Sequence, residues 1–387
     1  MRRLSLFAIA AAMLAACNTQ QEQTINTLRI DTDKVAQSDT GAVIKADAVD
    51  CIIDTTSYEF VILETTDDCL LGSASQIGYR GDTIIIFDKQ AQSVFFFDSK
   101  GHYLSKIHRV GRSRAEYVEI DNLCYTNDEV IIYDWDGKIV AYGFDGKFHY
   151  SFEVPHAQSI YAKDGNILVA HGWNTNEDAD WGRVSVYNKK GERLSALLKI
   201  DEEDASRPGS DVKYINGFGD SLFFMVPTDN VVYKYENGDF VPVYQFDFGA
   251  NNIPAEVARE GAMSKTQKNY SYTYEFRETE RYRFGGLHGA NQRSLIDWIF
   301  DKKKNQTVVL SNSLKFNSIR IFPGIDRIDD SGKYISGCMP VSAAKYLQAE
   351  DYKKLGDKSI WPKEIASLPD DDNGVIVRVR LKNLNDD

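Results

Sequence analysis

The stretch Val94-Phe95-Phe96-Phe97-Asp98-Ser99-Lys100-Gly101 joins a run of β-branched and aromatic residues to a short polar turn. The pattern returns at Tyr142–Lys147, Val186–Gly191, Val232–Gly238 and Trp298–Asn305. From Gly101 the next turn lies 45 residues on, the following one another 45, and the one after that another 47. A strand pattern that recurs at this period is typical of propeller blades of four strands each. The sequence therefore predicts an all-β fold, a β-propeller of four-stranded blades with short helical insertions.

The repeats place the propeller at residues 58–382. We expect a first strand at Glu59–Thr65, blades over about 75–110, 158–200, 213–248, 272–314 and 319–338, and one more blade between the first two. Insertions interrupt the period at about 250–270, where Ile253 to Lys268 is polar and helix-compatible, and at 341–367. In the second insertion Val341–Leu355 has a helical pattern, with a proline before it and a glycine after it. The alternating stretch Val375–Leu381 predicts a strand that closes the ring against Phe60–Leu63.

The first residues of the chain predict export. Arg2 and Arg3 precede an apolar stretch from Leu4 to Leu14, which is too short to span a membrane and fits a signal peptide over residues 1–16. The sequence Leu14-Ala15-Ala16-Cys17 resembles the bacterial lipobox, in which the cysteine is lipidated and becomes the first residue of the mature chain. An ordinary signal peptide with an incidental cysteine is the alternative.

A lipid on Cys17 would make the membrane a partner through the N-terminus and residues 17–57 an anchor with a polar lead-in. Asn18, rather than aspartate, follows Cys17. This favours the outer membrane of the cell envelope and leaves its periplasmic and surface sides open.

Composition limits the possible partners. Without residues 1–16 the chain has 371 residues, 43 basic and 57 acidic side chains and a formal net charge of −14. Nucleic acids and anionic lipid surfaces are therefore excluded as expected partners. The 21 tyrosines and 20 phenylalanines, with only 9 prolines, favour strands over disorder. A radial repeat allows a single propeller of this length, so we expect no second catalytic domain.

Four cysteines remain besides Cys17, and none has metal-ligand spacing. Cys69 and Cys124 lie in apolar contexts, which favours buried reduced thiols. An exported protein can also form disulfides, and a bond from Cys51 to a neighbouring strand is the alternative. Cys338 can take part in either arrangement.

The segment after the first clear blade concentrates basic side chains. Arg109, Arg112 and Arg114 lie with Tyr117 in a connection that should reach one face of the propeller. Guanidinium groups bind carboxylates and sulfates through paired hydrogen bonds. We therefore predict a binding site for a carboxylate, a sulfate or a uronic acid. The alternative is that these side chains pair with neighbouring acids and hold adjacent blades together.

Aromatic residues near later strands are further candidates for ligand binding. Trp135, Trp173 and Trp181 lie in or near loops of successive blades, where exposed indoles stack on sugars or anchor a protein. His171, which follows a strand directly, adds a polar group. A place in the core between blades is the alternative for the tryptophans. The acidic stretch 176–180 is either a weak cation site or a solvated loop.

Several parts of the chain resemble the six-bladed β-propeller lipoproteins of Bacteroidetes. Leu63–Gly72 is similar to the opening motif of that family, Gly111–Tyr117 to its glycine-rich segment ending in Glu-Tyr, and Asn373–Val377 to its final motif. Phe223–Gly249 and the stretch 325–340 also match, so the resemblance covers nearly everything from residue 30 to 381. It implies six blades and no established reaction.

The chain departs from this family at one place. Where the family tends to have Gly-Pro-Gly, residues 113–115 are Ser113, Arg114 and Ala115. If the family turn needs positive φ angles, this loop must be built differently.

No motif for catalysis is present in the sequence. It has no serine nucleophile motif, no phosphate-binding glycine loop, and no metal-ligand spacing among its six histidines. We therefore predict no catalytic residue, no metal site and no cofactor. Propeller sites assemble from distant loops, so a metal-assisted hydrolase or lyase acting on a carbohydrate or lactone in the channel is the alternative function.

The function predicted from these features is that of a lipid-anchored cell-envelope module, which binds an unknown envelope protein or glycan and need not catalyse a reaction. Converging carboxylates in the channel would favour the enzyme instead. A purely structural role in an envelope complex is a third possibility and would require a broad apolar patch on one face.

Overall fold

Strands make up most of the structure. The computed structural model describes residues 25–31, 37–38, 42–46, 52–202, 214–218, 221–227, 229–254, 256–257, 269–290, 295–310, 329, 331–383 and 385. In chain order the strands of this part are β1 Asn26–Asp31, β2 Gln37–Ser38, β3 Ala42–Ala46, β4 Glu59–Ile62, β5 Gln76–Arg80, β6 Thr83–Asp88, β7 Ser93–Asp98, β8 Tyr103–Ile107, β9 Ile120–Tyr125, β10 Glu129–Asp134, β11 Lys138–Gly143, β12 Phe148–Glu153, β13 Ser159–Lys163, β14 Asn166–Ala170, β15 Gly182–Tyr187, β16 Arg193–Lys199, β17 Ile215–Phe218, β18 Ser221–Phe224, β19 Val231–Glu236, β20 Asp239–Asp247, β21 Tyr272–Glu278, β22 Tyr282–His288, β23 Leu295–Asp301, β24 Gln306–Leu310, β25 Tyr334–Met339 and β26 Val375–Arg380.

Consecutive strands form small antiparallel sheets, one for each repeat of the sequence. Blade I contains β5–β8, blade II β9–β12, blade III β13–β16, blade IV β17–β20 and blade V β21–β24. Blade VI contains β25, β26 and β4 in the described residues. The six sheets form a six-bladed β-propeller, which confirms the predicted fold class. The predicted leader and Cys17, most of the insertion from Ile253 to Lys268, and residues 311–328 lie outside the described residues.

The ring closes where the two ends of the chain meet in blade VI. β26 pairs antiparallel with β4, and Ile376 lies opposite Val61. β26 also pairs with β25, so the C-terminal strand lies between its neighbours. The predicted closure of 375–381 against Phe60–Leu63 is therefore confirmed. Closure matters because it pairs strand edges that would otherwise be free to aggregate.

The expectation that the first strand begins at Glu59 is wrong, because β1–β3 precede it. β1 adds to blade IV in parallel with β20, and Leu28 lies opposite Phe246. β3 adds to blade V in parallel with β24. On β1 the side chain of Leu28 is buried, whereas its neighbours Thr27 and Arg29 are exposed. A rim strand of this kind gains mainly backbone hydrogen bonds, which leave little hydrophobic pattern in the sequence.

The hydrophobic core lies between neighbouring blades. One cluster joins Ile85 and Phe96 of blade I to Leu123 and Val130 of blade II, and all four side chains are at most 3% exposed. Burial of such a side chain contributes roughly 1.5–3 kcal/mol. Each blade therefore depends on the next one for its stability.

The repeated polar turn has a local cause. In blade I the carboxylate of Asp98 accepts hydrogen bonds from the backbone N–H groups of Lys100 and His102, at 2.8 and 2.9 Å. Gly101 has a φ of 90°, which a residue without a Cβ adopts at little cost. In blade III Asn188 takes the place of the aspartate and makes the equivalent bonds.

Chain reversals alternate between two faces of the ring, because neighbouring strands in each blade are antiparallel. One face carries the connections between blades and the turns between second and third strands, and we call it the connection face. The Asp-Lys-Gly turns lie on the opposite face. All the predicted ligand-binding residues belong to segments at the connection face.

The helix α1, Val341–Leu355, also lies at the connection face because it joins β25 to β26. It begins after Pro340 and ends at Gly356, as predicted. Ala344 and Leu347 pack in a cluster with Trp361. Short 3-10 helices lie at Gly172–Asn174, Glu177–Ala179, Gly249–Asn251, Gly356–Lys358 and Lys363–Ser367.

Three cysteines, Cys69, Cys124 and Cys338, lie in the described residues. Cys69 and Cys124 are buried, which agrees with the prediction of reduced core thiols, and Cys338 is partly buried. The Cys69 thiol donates to the carbonyl oxygen of Glu64 at 3.2 Å. Cys51, for which a disulfide is the alternative, lies outside the described residues.

Candidate functional site

The basic segment between β8 and β9 folds as a narrow loop, called here the arginine loop (residues 108–119). The backbone N–H of Gly111 donates to the carbonyl of Tyr117 at 2.8 Å, and the N–H of Tyr117 donates to the carbonyl of Arg109 at 3.0 Å. Residues 113–115 all have negative φ angles in this turn, since none is among the residues with positive φ. The sequence of Ser113, Arg114 and Ala115 is therefore compatible with the turn.

Glu116 folds back across the loop. Its Oε2 accepts a hydrogen bond from the backbone N–H of Ser113 at 2.8 Å. A Cβ on Gly111 would lie only 2.2 Å from the same oxygen. A side chain at position 111 would therefore require the Glu116 carboxylate to move, and the hydrogen bond from Ser113 lowers the pKa of Glu116.

Two side chains of blade II hold the arginine loop by hydrogen bonds to its backbone. Lys138 donates from Nζ to the carbonyl oxygens of Glu116 and Ser113, at 2.6 and 3.3 Å. Tyr142 donates its hydroxyl to the carbonyl of Ala115 at 2.8 Å. Blade II therefore holds three backbone carbonyls of the loop in place.

The loop ends over a buried carboxylate. Asp134 is fully buried and accepts from the backbone N–H groups of Val118 and Glu119, at 3.0 and 3.1 Å. Lys138 Nζ lies 3.6 Å from the same carboxylate. These bonds fix the start of blade II relative to the loop.

Tyr117, a predicted ligand-binding residue, is a core residue. Its side chain is fully buried, and its hydroxyl donates to the carbonyl of Gln92 at 2.8 Å and accepts from the N–H of Arg109 at 3.1 Å. Burial raises the pKa of the phenol to about 12. The structure thus places Tyr117 where it joins blade I to blade II.

The tip of the arginine loop is exposed. Arg112 Nη1 lies 3.2 Å from Asp136 Oδ2, and the two side chains are 80% and 46% exposed. Arg114 lies with its guanidinium carbon 5.8 Å from the ring centre of Phe148. Arg109 is exposed as well. Trp135, next to Asp136, is 60% exposed.

A groove of about 580 Å³ runs between the loop tip and the outer strand of blade II. Its lining includes Arg112, Arg114, Asp136, Lys138, Phe152 and Glu153. Three basic and two acidic side chains, together with an aromatic ring, thus face a single open space. This combination suits a ligand that offers anionic groups, hydroxyls and an apolar surface.

His171 and Trp173 lie apart from this groove and are buried. His171 is fully buried, with Nδ1 2.7 Å from the carbonyl oxygen of His156 and Nε2 3.0 Å from the hydroxyl of Ser185. Desolvation by burial lowers the pKa of the imidazole to about 4. The Trp173 ring is 7% exposed and packs against the guanidinium group of Arg183 at 4.2 Å.

The acidic stretch 176–180 contacts basic side chains of β16. Asp180 Oδ2 lies 2.6 Å from Nζ of Lys199, and Arg193 donates to the carbonyl of Asp178. In the described part of the chain no group of three or more His, Cys, Asp and Glu side chains is placed to hold a metal ion. Nor does any helix there combine the length and hydrophobicity needed to cross a membrane.

Among the groove residues, sequence reasoning missed Asp136, Lys138, Phe152 and Glu153. Asp136 lies in the turn between the second and third strands of blade II and Lys138 follows it directly, on the same face as the arginine loop. The repeat pattern contains this signal, because it assigns both segments to one face. Glu153 ends an outer strand and gives no such signal.

Comparison of the whole sequence with family models gives a match over most of the chain. A family model described as a domain of unknown function, DUF4934, matches residues 45–380. The chain belongs to the DUF4934 family. No curated protein matches the chain. Membership of the DUF4934 family therefore brings no reaction or ligand with it.

A solved structure shares the fold of this DUF4934 protein. A protein from Bacteroides fragilis NCTC 9343, provisionally described as exported, is 20% identical and has a TM-score of 0.66, and the match covers 93% of this chain and 100% of that one. A member of the duf4221 family from Bacteroides vulgatus ATCC 8482 is 9% identical with a TM-score of 0.48, covering 85% and 99% of the two chains.

Proposed function

We propose that this protein is a lipid-anchored propeller of the bacterial cell envelope, attached to the outer membrane, which binds a protein or glycan partner without catalysing a reaction. The charged start, apolar core and lipobox-like Leu14–Cys17 support the anchor. The name of the Bacteroides fragilis neighbour, which describes that protein as exported, points in the same direction.

The arginine loop is the observation that carries the proposed binding role. Its backbone is held by hydrogen bonds from Lys138 and Tyr142 of blade II, whereas Arg112 and Arg114 at its tip are exposed beside an open groove. A rigid loop pays little conformational entropy when a ligand binds. Loops held by a rigid scaffold are also where binding residues concentrate.

Cross-linking followed by affinity purification from the native membranes tests this function. The tagged full-length protein is compared with Cys17→Ala and with the double variant Arg112→Ala and Arg114→Ala. We expect a stoichiometric partner, a protein or an attached glycan, that is lost in both variants. If the partner is lost in Cys17→Ala but retained in the arginine double variant, the arginine loop is not part of the binding site. An absence of any partner or glycan in all three samples would contradict the binding module.

The anchor has a separate test. Cys17→Ala should release the protein from the membrane fraction and abolish labelling by a radioactive lipid precursor, because the thiol is the attachment point. Continued labelling of Cys17→Ala would contradict lipidation at this residue. Removal of the signal peptide has its own test: the mass of the mature wild-type chain should show that residues 1–16 are absent.

A further inference from the structure

We propose that the groove on blade II binds an acidic glycan, one that carries the carboxylates of uronic acids or sulfate groups. This inference rests on the proposed function, since it assumes a binding module, and it names the ligand class and the site. The groove is the open space of about 580 Å³ between the arginine loop and the end of β12.

The two arginines at the loop tip provide the contacts for the anionic groups. Arg112 has one ion pair in the described residues, with the half-exposed Asp136, and Arg114 contacts only the ring of Phe148. Both guanidinium groups therefore keep donors free to form paired hydrogen bonds with a carboxylate or sulfate. The rest of the molecule is acidic, so an anionic ligand is attracted here and repelled elsewhere.

The other walls of the groove favour a glycan over an acidic protein segment. Asp136 and Glu153 place two carboxylates in the groove, and these accept hydrogen bonds from the hydroxyls that a sugar offers in number and an acidic peptide does not. Trp135, next to Asp136, is 60% exposed. An exposed aromatic ring of this kind stacks on the apolar face of a sugar ring.

The fixed backbone of the loop supports the same assignment. Lys138 and Tyr142 hold the carbonyls of Ser113, Ala115 and Glu116, so Arg112 and Arg114 leave the backbone at set positions. Set backbone positions keep both flexible side chains beside the same groove, where the two guanidinium groups can bind two anionic groups of one polymer. A glycan with one acidic group per repeat provides such a pair of anionic groups.

Isothermal titration of the full-length protein in detergent tests the proposal. The probes are a short oligogalacturonate, a chondroitin sulfate oligosaccharide of similar length, and a neutral malto-oligosaccharide. We expect at least one acidic probe to bind and the neutral probe not to bind. Whichever acidic probe binds identifies carboxylate or sulfate as the recognised group. Affinity should fall as salt is added, because the contacts are exposed charges.

Variants locate the site. The double variant Arg112→Ser and Arg114→Ser should weaken binding by about tenfold or more. The matched control, Lys100→Ser with Lys190→Ser, makes the same change in charge on the opposite face and should bind as the wild type. Trp135→Ala, which changes no charge, should also weaken binding. Melting temperatures of all the variants report whether they fold.

Three results would overturn the proposal. These are equal binding of the neutral probe, unchanged binding by both the arginine variant and Trp135→Ala, or no binding of either acidic probe to the wild type. If no acidic probe binds but the membrane partner still requires Arg112 and Arg114, the proposed binding function stands and only the glycan is rejected as its ligand. If instead the membrane partner does not require Arg112 and Arg114 but the groove binds an acidic glycan, the glycan site stands and partner binding through the loop is rejected.

Discussion

Asn373 shows how much of the propeller depends on a single side chain. It is buried, and its Nδ2 donates to the carbonyls of Glu64 and Cys69 at 2.6 and 2.7 Å. Its Oδ1 accepts from the N–H of Leu71 at 2.8 Å. The opening stretch 63–72 and the closing stretch 373–377, which both resemble family motifs, therefore meet at this residue. Their resemblance is explained by ring closure rather than by a ligand.

Asn373→Ala should lower the free energy of unfolding by about 2–3 kcal/mol. The substitution leaves two carbonyls and one N–H group without their partner, and a buried polar group that loses its hydrogen bond costs about 1–3 kcal/mol. Denaturant unfolding followed by tryptophan fluorescence measures the change. Asn127→Ala, at an exposed turn, is the control and should change stability by less than about 0.5 kcal/mol. Equal values for the two variants would contradict the role of Asn373.

His171 should make stability depend on pH. Burial lowers the pKa of its imidazole from 6.5 to about 4. Since the folded-state pKa lies below the unfolded one, the unfolded state binds the proton first as the pH falls. The contribution is therefore complete above pH 6.5 and is lost between pH 6.5 and about 4, with a total of roughly 3 kcal/mol.

The change His171→Gln should flatten the stability profile in this pH range, because glutamine does not take up a proton. Chemical denaturation at a series of pH values measures it. The exposed His108→Gln should keep the wild-type profile. A wild-type slope that survives in His171→Gln would assign the pH dependence to another group.

At the scale of elements, the arginine loop has two parts: residues whose contacts hold its backbone, and exposed side chains at its tip. Gly111, Glu116 and Tyr117 make the contacts that define the loop, and each is tied to a neighbour within a few ångströms. Arg112 and Arg114 make no contact that the loop needs. The tip can therefore change its chemistry without a change in the fold of the loop.

Gly111→Ala tests the contacts that hold the backbone of the loop. A Cβ at position 111 would lie 2.2 Å from Glu116 Oε2, the end of a flexible side chain, so the substitution should displace that carboxylate from its hydrogen bond and lower the free energy of unfolding by less than about 1 kcal/mol. Glu116→Ala removes the clashing carboxylate and should cost less than about 1 kcal/mol, the worth of one exposed hydrogen bond. In the double variant most of the cost of Gly111→Ala should disappear, and denaturant unfolding of all four proteins measures the coupling. Strictly additive effects would contradict the close contact.

The elements that the sequence predicts best are those with a repeated local cause. The strand period, the Asp-Lys-Gly turns and the helix between Pro340 and Gly356 all follow from side chains near in sequence, and the structure contains each of them. β1 could not be predicted in the same way. Its pairing with β20 joins residues more than two hundred positions apart and buries the side chain of Leu28 but not those of its neighbours.

The candidate site was predictable only in part, and for a similar reason. Sequence reasoning found the arginines and tryptophans, but exposure decides between a ligand contact and a core contact. Trp135 is 60% exposed and Trp173 is 7% exposed, although both follow a strand directly or closely. The difference arises from Arg183 in the neighbouring strand, which covers the Trp173 ring. This contact, within blade III, has no signature in the local sequence.

At the scale of the whole molecule, polar side chains in the described residues join neighbouring blades at five of the six junctions of the ring. At five junctions a side-chain oxygen of one blade accepts a backbone N–H of its neighbour. The pairs are Asn373 with Leu71, Gln92 with Ile120, Asn122 with Ile160, Ser159 with Tyr214, and Asn230 with Thr273. Because these bonds lie between blades, the ring should unfold as one unit rather than blade by blade.

A truncation tests this cooperativity. A chain that stops after Asp372 lacks β26, which pairs with both β25 and β4, and lacks the bonds of Asn373. The edges of β25 and β4 then become free, and the apolar cluster beneath α1 loses Val375 and Val377. We expect aggregated protein in size-exclusion chromatography and no cooperative thermal transition, even though the sequences of blades I to V are intact.

A chain that stops after Asn383 is the control. It keeps β26 and the contacts of residues 382 and 383, in which the N–H of Lys382 donates to Ile52 and Arg281 donates to the carbonyl of Asn383. It should remain monodisperse and melt in a single transition close to that of the full chain. If the chain that stops after Asp372 also melted cooperatively, blades I to V would form a stable unit of their own. Closure in blade VI would then protect a strand edge without determining the stability of the ring.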